Sequence, residues 1–485
     1  MTWIKFLHIV LNNPCSLRLP KISGILIHMP KTSDLLHHPI PQLLRRLALP
    51  VGVGFFFNTM FNVVDTLYAG RISTRAVASL ALCFPLFFVI IAVGAGILMA
   101  TTSLIGHALG AGKREDAERY AAQAFSFALI HAVALTALGT ISTPMIFERM
   151  GASGEYLSLA VSCMRALFSG SLFFLGNYVC NAILSATGDT RSFRNFLVGG
   201  FLLNLALDPW FIFGGLGLPP LGLPGIAWAT VAIQGLGSSY LLRRVVGTGL
   251  LSGRSWRLLV PQSESFRRLF SQGVPASLNM LTVSLGIFVI TWFVGRFGTA
   301  AVAAYGICTR LEQIVLLPVM GLNMATLTLV AQNYGAAQYE RVLETPGRAL
   351  RIGLLLMSIG SVAVFLGGGQ MIKLFTPDRE VIAIGTGYFQ VNAFVLSAYV
   401  ILYINNAALQ GVQKPGFALC VGIYRQLAAP LLAFYVLAIH LGWGLMGVWW
   451  GILLVTWSAA GISIIYTRYL IRTLTLNHVT GRQST

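Results

Sequence analysis

Three carboxylic acids, Asp65, Asp208 and Glu312, stand well inside long apolar stretches of this chain. An ionisable side chain at mid-membrane depth costs roughly 2.5–3.5 kcal/mol on insertion scales, so such residues usually handle ions, protons or a buried pairing. Asp65 lies in FFFNTMFNVVDTLYAG. Asn58, Asn62 and Asp65 are spaced four and three apart, which puts them on one helix face. Buried Asn often supplies interhelical hydrogen bonds, and that is the structural alternative for the two amides. The carboxylate favours a site over mere packing.

Asp208 lies in FLLNLALDPWFIFG, with Asn204 one turn earlier on the same face. Pro209 follows directly, removes an amide and frees the carbonyl of Leu205. A carboxylate, an amide oxygen and a freed carbonyl are hard oxygen donors suited to a small hard cation. Two carboxylates brought together could equally share one proton. Glu312 stands two residues from Arg310, and Arg425 is a second possible partner. One glutamate and two intramembrane arginines read as internal charge compensation in the second half of the chain. Other polar positions give weaker signals. Thr230 could bond only its own preceding turn. Asn177 and Asn181, four apart, could be packing glue. Asn58, Asn62, Asn177 and Phe61 are the candidate substrate contacts, although a run of phenylalanines more often faces lipid.

These residues need elements to position them, and the composition fixes which kind. The 485 residues are 56% hydrophobic and only 10% charged, with a mean hydropathy of +0.76. A soluble domain carries roughly 25% charged residues, so the chain is an integral membrane protein surrounded by lipid. The spacing predicts twelve spans, near 46–69, 76–106, 119–143, 157–186, 195–215, 225–242, 272–294, 300–333, 347–367, 384–410, 417–440 and 444–467. The net charge of +18 sits in the gaps between them. Of 33 basic residues, 24 fall on one side, six on the other and three (Arg165, Arg310, Arg425) within spans. That is the positive-inside pattern, not a nucleic-acid surface, and it places both termini in the cytoplasm. Six scattered cysteines without a C-x-x-C pair indicate neither a disulfide framework nor a metal centre. Residues 1–28 differ in character from the rest, and Met29 is the expected natural start.

An internal repeat organises the spans. Shifted by 225 residues, positions 50–119 align with 275–344 without a gap, with nineteen identities in seventy. GRISTRAVASLALC (70–83) meets GRFGTAAVAAYGIC (295–308), and GILMATTSLIGHALGAG (96–112) meets GLNMATLTLVAQNYGAA (321–337). The expected fold is therefore all-α: two six-helix lobes, 41–242 and 272–467, related by a parallel repeat. A cytoplasmic extension (1–40), a basic cytoplasmic linker (243–271) and a cytoplasmic tail (468–485) complete the chain. Transporters built from such repeats bind substrate between the halves. The repeat is also an internal control. Asn58, Asn62 and Asp65 face Val283, Ile287 and Ile290 in the second half, while Asn204 and Asp208 face Arg425 and Ala429. The acids belong to the first lobe alone.

From about Pro41 to residue 470 the chain resembles the MATE (multidrug and toxic compound extrusion) family. The resemblance rests on FNVVDTLYAG, GAGKREDA, CNAILSATGDTRSF, NLALDPWFIFG with the following GLPGIAWAT, and GLNMATLTLVAQNYGAA, in matching order and spacing. It implies alternating access and export of cationic, amphipathic compounds against H+ or Na+, with no other cofactor. In the DinF-like branch it further implies a coupling-ion site formed by Asp65, Asn181, Asn204, Asp208 and Thr230. Na+ would sit at Asp65, Asn204, Asp208 and Thr230. The NorM-like acids of spans seven and ten have no counterpart in this sequence. The resulting expectation is a multi-pass cell (inner or plasma) membrane exporter and not an enzyme. It acts as a monomer on small cationic substrates, without nucleic acid. Two alternatives remain: a lipid-linked oligosaccharide flippase of the same superfamily, and an intramembrane aspartyl protease using the acid pair.

Overall fold

The computed structural model describes residues 32–215, 217–251 and 255–479. Met29, and everything before it, lies outside that range. A six-residue helix, Thr32–His37, precedes the membrane helices. The first lobe contains α1 (Ile40–Ile72), α2 (Thr74–Gly110), α3 (Arg114–Arg149), α4 in two pieces (Gly154–Ser169 and Ser171–Ala186), α5 (Arg191–Phe213) and α6 (Leu223–Gly247). The second contains α7 (Ser263–Gly295), α8 (Thr299–Gly335), α9 (Tyr339–Lys373), α10 in two pieces (Arg379–Asn392 and Val395–Gly411), α11 (Gly416–His440) and α12 (Gly444–Val479).

Among the described residues nine helices are long and apolar enough to cross a membrane, and the two bent pairs raise the number to eleven. The twelfth, α6, has 25 residues, about 37 Å at 1.5 Å per residue, against a hydrocarbon core of about 30 Å. Gln234 and Ser238 make it more polar than its neighbours. Both are satisfied inside the lobe: Asn177 on α4 donates to the Gln234 carbonyl (3.0 Å) and side chain (2.7 Å), and Ser238 donates to Asn177 Oδ1 (2.8 Å).

The repeat is visible atom by atom where the lobes meet. A Cβ on Gly96 of α2 would fall 2.5 Å from the Gly273 carbonyl oxygen of α7, and one on Gly321 of α8 would fall 2.3 Å from the Ala48 carbonyl oxygen of α1. Gly110 meets the Gln332 carbonyl oxygen in the same way, and Gly335 meets that of His107. Every partner in these pairs is related by the 225-residue offset. Only glycine permits such close backbone approach, which is how small residues knit membrane helices together. Polar bonds cross at the same level: Ser103 to the Gln410 carbonyl (2.7 Å) and Gln332 to that of Ala186 (2.6 Å).

All these crossings lie in the half of the helices nearest the basic loops. Towards the other end, the face of α1 that carries Ala48 and Gly52 continues through Thr59, Asn62 and Thr66, and Asn62 and Thr66 are exposed. On α7 the equivalent face continues to Ile287, also exposed. The lobes are therefore joined at the basic end and parted at the other, leaving a cleft whose walls carry hydroxyl residues at equivalent positions (Thr59 and Thr66, Ser284 and Thr291) but differ at Asn62 and Ile287. The start of α1 is anchored across this junction. Leu35, Ile40, Leu43, Leu44 and Leu47 pack into the core of the second lobe with Val319, Leu322 and Leu329.

The sequence shows spans four and ten as uninterrupted apolar runs, but the structure bends them by 44° and 54°. At the first bend Gly170 meets Val231 of α6, whose Cγ2 would lie 2.5 Å from an added Cβ. Each bend leaves carbonyls without helical partners, and a hydroxyl from the neighbouring helix meets one. Thr136 of α3 donates to the Phe168 carbonyl (2.7 Å), and Ser361 of α9 donates to that of Ala393 (2.6 Å). These pairs also obey the 225-residue offset. The described residues just before α7 are docked on the first lobe. Gln123 of α3 donates to the carbonyls of Leu258 and Val260 and accepts from the Gln262 amide.

Candidate functional site

The polar face of α1 turns out to serve two surroundings. Asn58 and Asn62 are exposed on the cleft side. Asn62 donates to the Asn58 carbonyl of its own helix (2.9 Å), as Thr66 does to that of Asn62 (2.9 Å). Neither asparagine is shown in a bond to a neighbouring helix, so interhelical glue does not account for them. Asp65, slightly further round the helix, is half-buried and turned to α5.

On α5 Asn204 and Asp208 are both fully buried. Asn204 Nδ2 donates to Asp65 Oδ1 at 2.9 Å, and Asp208, one turn further along the same face of α5, lies within electrostatic reach of Asp65. Residues 139 positions apart in sequence thus form one constellation. Among the described residues nothing donates a hydrogen bond to either oxygen of Asp208 or to Asn204 Oδ1. Buried acceptors are nearly always satisfied, and an unpaired buried charge is especially costly. Three acceptor oxygens converging beside a second carboxylate suit a proton or a small monovalent cation.

The other members expected at this site are engaged elsewhere. The Leu205 carbonyl freed by Pro209 accepts from the Tyr68 hydroxyl (3.3 Å), one turn along α1 from Asp65, so it braces the α1–α5 contact instead of joining the donor set. Thr230 donates to the Ile226 carbonyl of its own turn (3.0 Å). Asn181 Oδ1 accepts from Ser185 (3.1 Å). No bond among the described residues connects Thr230 or Asn181 to the acids. Asn177 belongs to the α4–α6 network described above. Phe61 is half-buried on the face of α1 where Phe57 packs against Phe201 of α5 (5.4 Å between rings). A residue absent from the sequence-based set lies nearby: Cys163 of α4, fully buried, is within electrostatic reach of Asp65. Its type gave no signal. Among the described residues no three His, Cys, Asp or Glu side chains gather as a metal-binding group.

The charge cluster expected in the second lobe is corrected. Glu312 accepts a hydrogen bond from the Tyr388 hydroxyl (2.9 Å) in a buried nest with Tyr305 and Trp449. Arg310 is exposed, because two positions along a helix rotate it about 200° from Glu312. Arg425 lies over the Tyr399 ring at 5.2 Å. Among the described residues no ion pair joins the three. Asp189, the remaining buried acid, caps the start of α5 by accepting from the Ser192 amide (3.0 Å) and hydroxyl (2.6 Å), and pairs with Arg244 (3.4 Å).

Comparison with known proteins agrees with the two-lobe fold. The sequence profile of the MatE family matches residues 50–210 and again residues 275–435, the two halves of the repeat. The chain belongs to the MatE family. Family members are transporters and not enzymes. The chain is 27% identical over 428 residues to a Thermotoga maritima protein named "Probable multidrug resistance protein NorM", covering 85% of this chain and 90% of that one. It is 28% identical over 396 residues to the "FAD transporter" of Shewanella oneidensis, covering 81% and 86%. Among solved structures it resembles one described as the "Outward-facing conformation of a multidrug resistance MATE family transporter of the MOP superfamily". The TM-score is 0.85 at 26% identity, with 92% of this chain and 99% of that one covered. MatE membership excludes the intramembrane protease alternative.

Proposed function

We propose that this MatE protein is a multidrug exporter of the cell membrane, exchanging cationic amphipathic compounds for H+ or Na+. Its coupling site is Asp65, Asn204 and Asp208, and its basic end faces the cytoplasm. The observation that carries the coupling site is the state of Asp208: fully buried, within electrostatic reach of Asp65, with no donor to either carboxylate oxygen among the described residues. A proton or Na+ supplies the missing partner, and its binding and release change the charge at the α1–α5 contact. A charge change there shifts the balance of access states only if the two states bind the ion differently. The wall of the cleft that bears Asn58 and Asn62 lies on the same helix as Asp65, so substrate and ion act on one element.

The substrate class follows from the cleft. Within it the first-lobe amides Asn58 and Asn62 answer to Val283 and Ile287 in the second lobe, an asymmetry that suits a molecule with one polar and one greasy side. Proteins similar to this chain bear names that refer to multidrug resistance and to FAD transport, so cargo has to be measured. Efflux of cationic dyes from cells expressing the protein separates a drug exporter from a lipid-oligosaccharide flippase. With Asp65→Asn, efflux is expected to fall to background while the protein still inserts and folds. Full efflux by that variant overturns the coupling assignment.

A further inference from the structure

A second polar feature lies at the opposite end of the helices that hold the acids. The first turns of α1 and α5 border an open hollow of about 460 Å³ whose lining includes Gln42, Arg45, Arg46, Leu49, Arg191 and Arg194. Four guanidinium groups border one space. Asp189, the nearest acid in sequence, already accepts from Ser192 and pairs with Arg244. Arg194 donates to a neutral group, the Asn195 side chain (3.1 and 2.7 Å). Among the described residues no carboxylate is shown paired with Arg45, Arg191 or Arg194.

The surface leading away from this hollow is apolar. Arg45, Leu49, Val53, Phe56, Val63 and Leu67 follow a spacing of three, four and seven, so they share one face of α1. The five apolar members are exposed, Leu49 and Leu67 each to 63%. This face is roughly opposite the one carrying Asn58, Asn62 and Asp65, so it looks to lipid and not into the cleft. A cationic hollow at the membrane boundary, continuous with an exposed greasy stripe running into the bilayer, matches a molecule with an anionic head and a hydrocarbon tail. Basic pockets between membrane helices bind such head groups, and guanidinium groups suit phosphate through paired N–H donors.

We propose that this hollow binds the phosphate head group of an anionic phospholipid, with an acyl chain lying along Leu49, Val53 and Phe56. The bound phosphate ties the basic ends of α1 and α5 together. These two helices bring Asp65 to Asn204 and Asp208 further along. If the coupling assignment above holds, lipid at this position sets how firmly that contact is held. The binding itself is independent of the transport reading.

Native mass spectrometry of the purified full chain tests the site, with phosphatidylglycerol and phosphatidylcholine offered at equal concentration. The wild type is expected to retain phosphatidylglycerol selectively. Arg45→Gln/Arg191→Gln is expected to retain it more weakly by roughly 25-fold, taking about fivefold per guanidinium near an anionic surface. Arg348→Gln/Arg351→Gln removes the same charge from the basic end of α9 and is expected to behave as wild type. A thermal midpoint for each variant shows that it is folded. Equal retention by the two double variants overturns the proposal, as does equal retention of phosphatidylcholine. Displacement of the lipid by millimolar inorganic phosphate also overturns it, because it identifies a free-anion site. Lipid binding is read without transport, so a failed coupling assignment would leave this result standing.

Discussion

Replacing Gly96 or Gly321 with alanine probes the junction on which the lobes turn. An alanine in a helix interior is favoured over glycine by about 1 kcal/mol. At Gly96 the new methyl would fall 2.0 Å from Ser277 Oγ and 2.5 Å from the Gly273 carbonyl oxygen; at Gly321 it would fall 2.3 Å from the Ala48 carbonyl oxygen. A serine hydroxyl can rotate away, but a backbone carbonyl moves only with its helix. Overpacking usually costs about 1–3 kcal/mol, and the backbone obstruction places these sites at the upper end. Net destabilisation of the joined state is therefore about 2 kcal/mol, roughly a thirtyfold shift towards a state parted at the basic end. Gly176 is the control: nothing lies within 4 Å of an added Cβ there, so alanine should be neutral or stabilising. The assay is maleimide labelling of Ser103→Cys, a position buried in the junction, in each glycine background. Labelling should accelerate about tenfold or more in Gly96→Ala and Gly321→Ala alike, and remain unchanged in Gly176→Ala. If the two junction variants label no faster than the control, the glycine crossings do not hold the lobes together and the reasoning fails.

Other expectations concern the caps and the acids. Thr136→Val and Ser361→Ala each remove a hydroxyl from the carbonyl at a bend and should lower stability by about 1 kcal/mol in thermal unfolding. The Thr136→Val loss should be the smaller, because the Phe168 carbonyl keeps the Ser171 hydroxyl (2.7 Å) as a donor. Glu312→Gln keeps an acceptor for Tyr388 and should fold normally, whereas Glu312→Leu leaves that buried hydroxyl unpaired and should cost about 1–3 kcal/mol in the same measurement. Asn204→Leu removes the donor to Asp65 and should abolish ion-coupled efflux without changing membrane insertion, checked by dye efflux alongside surface labelling.

The membrane class, the span positions and the repeat were legible because apolar length and a fixed offset survive in the sequence without any knowledge of packing. The pairing of Asp65 with Asn204 and Asp208 was legible for a related reason: charged groups in lipid are costly, and their absence from the second lobe singled them out. What remained hidden depended on direction. Helical spacing put Asn58, Asn62 and Asp65 on one face, yet only the packing of Ala48 and Gly52 against α8 shows that the asparagines look into a cleft while Asp65 turns to α5. Pro209 correctly marked a freed carbonyl, but nothing in the sequence showed Tyr68 reaching it. Proximity in sequence misled at Glu312, where Arg310 points away and the partner, Tyr388, comes from a helix 76 residues later. The bends left a readable trace: Thr136 and Ser361 are hydroxyl residues at equivalent repeat positions within apolar runs, a match that identity scoring overlooks.

The claim that ion coupling resides at the α1–α5 acids is tested most directly by reconstituting the protein in vesicles and measuring substrate movement driven by an imposed H+ or Na+ gradient. Wild type, Asp65→Asn, Asp208→Asn and Glu312→Gln should be compared at equal incorporation. The account predicts that gradient-driven transport is lost in both aspartate variants and kept in Glu312→Gln. Gradient-driven transport in Asp65→Asn and Asp208→Asn at the wild-type rate would contradict it.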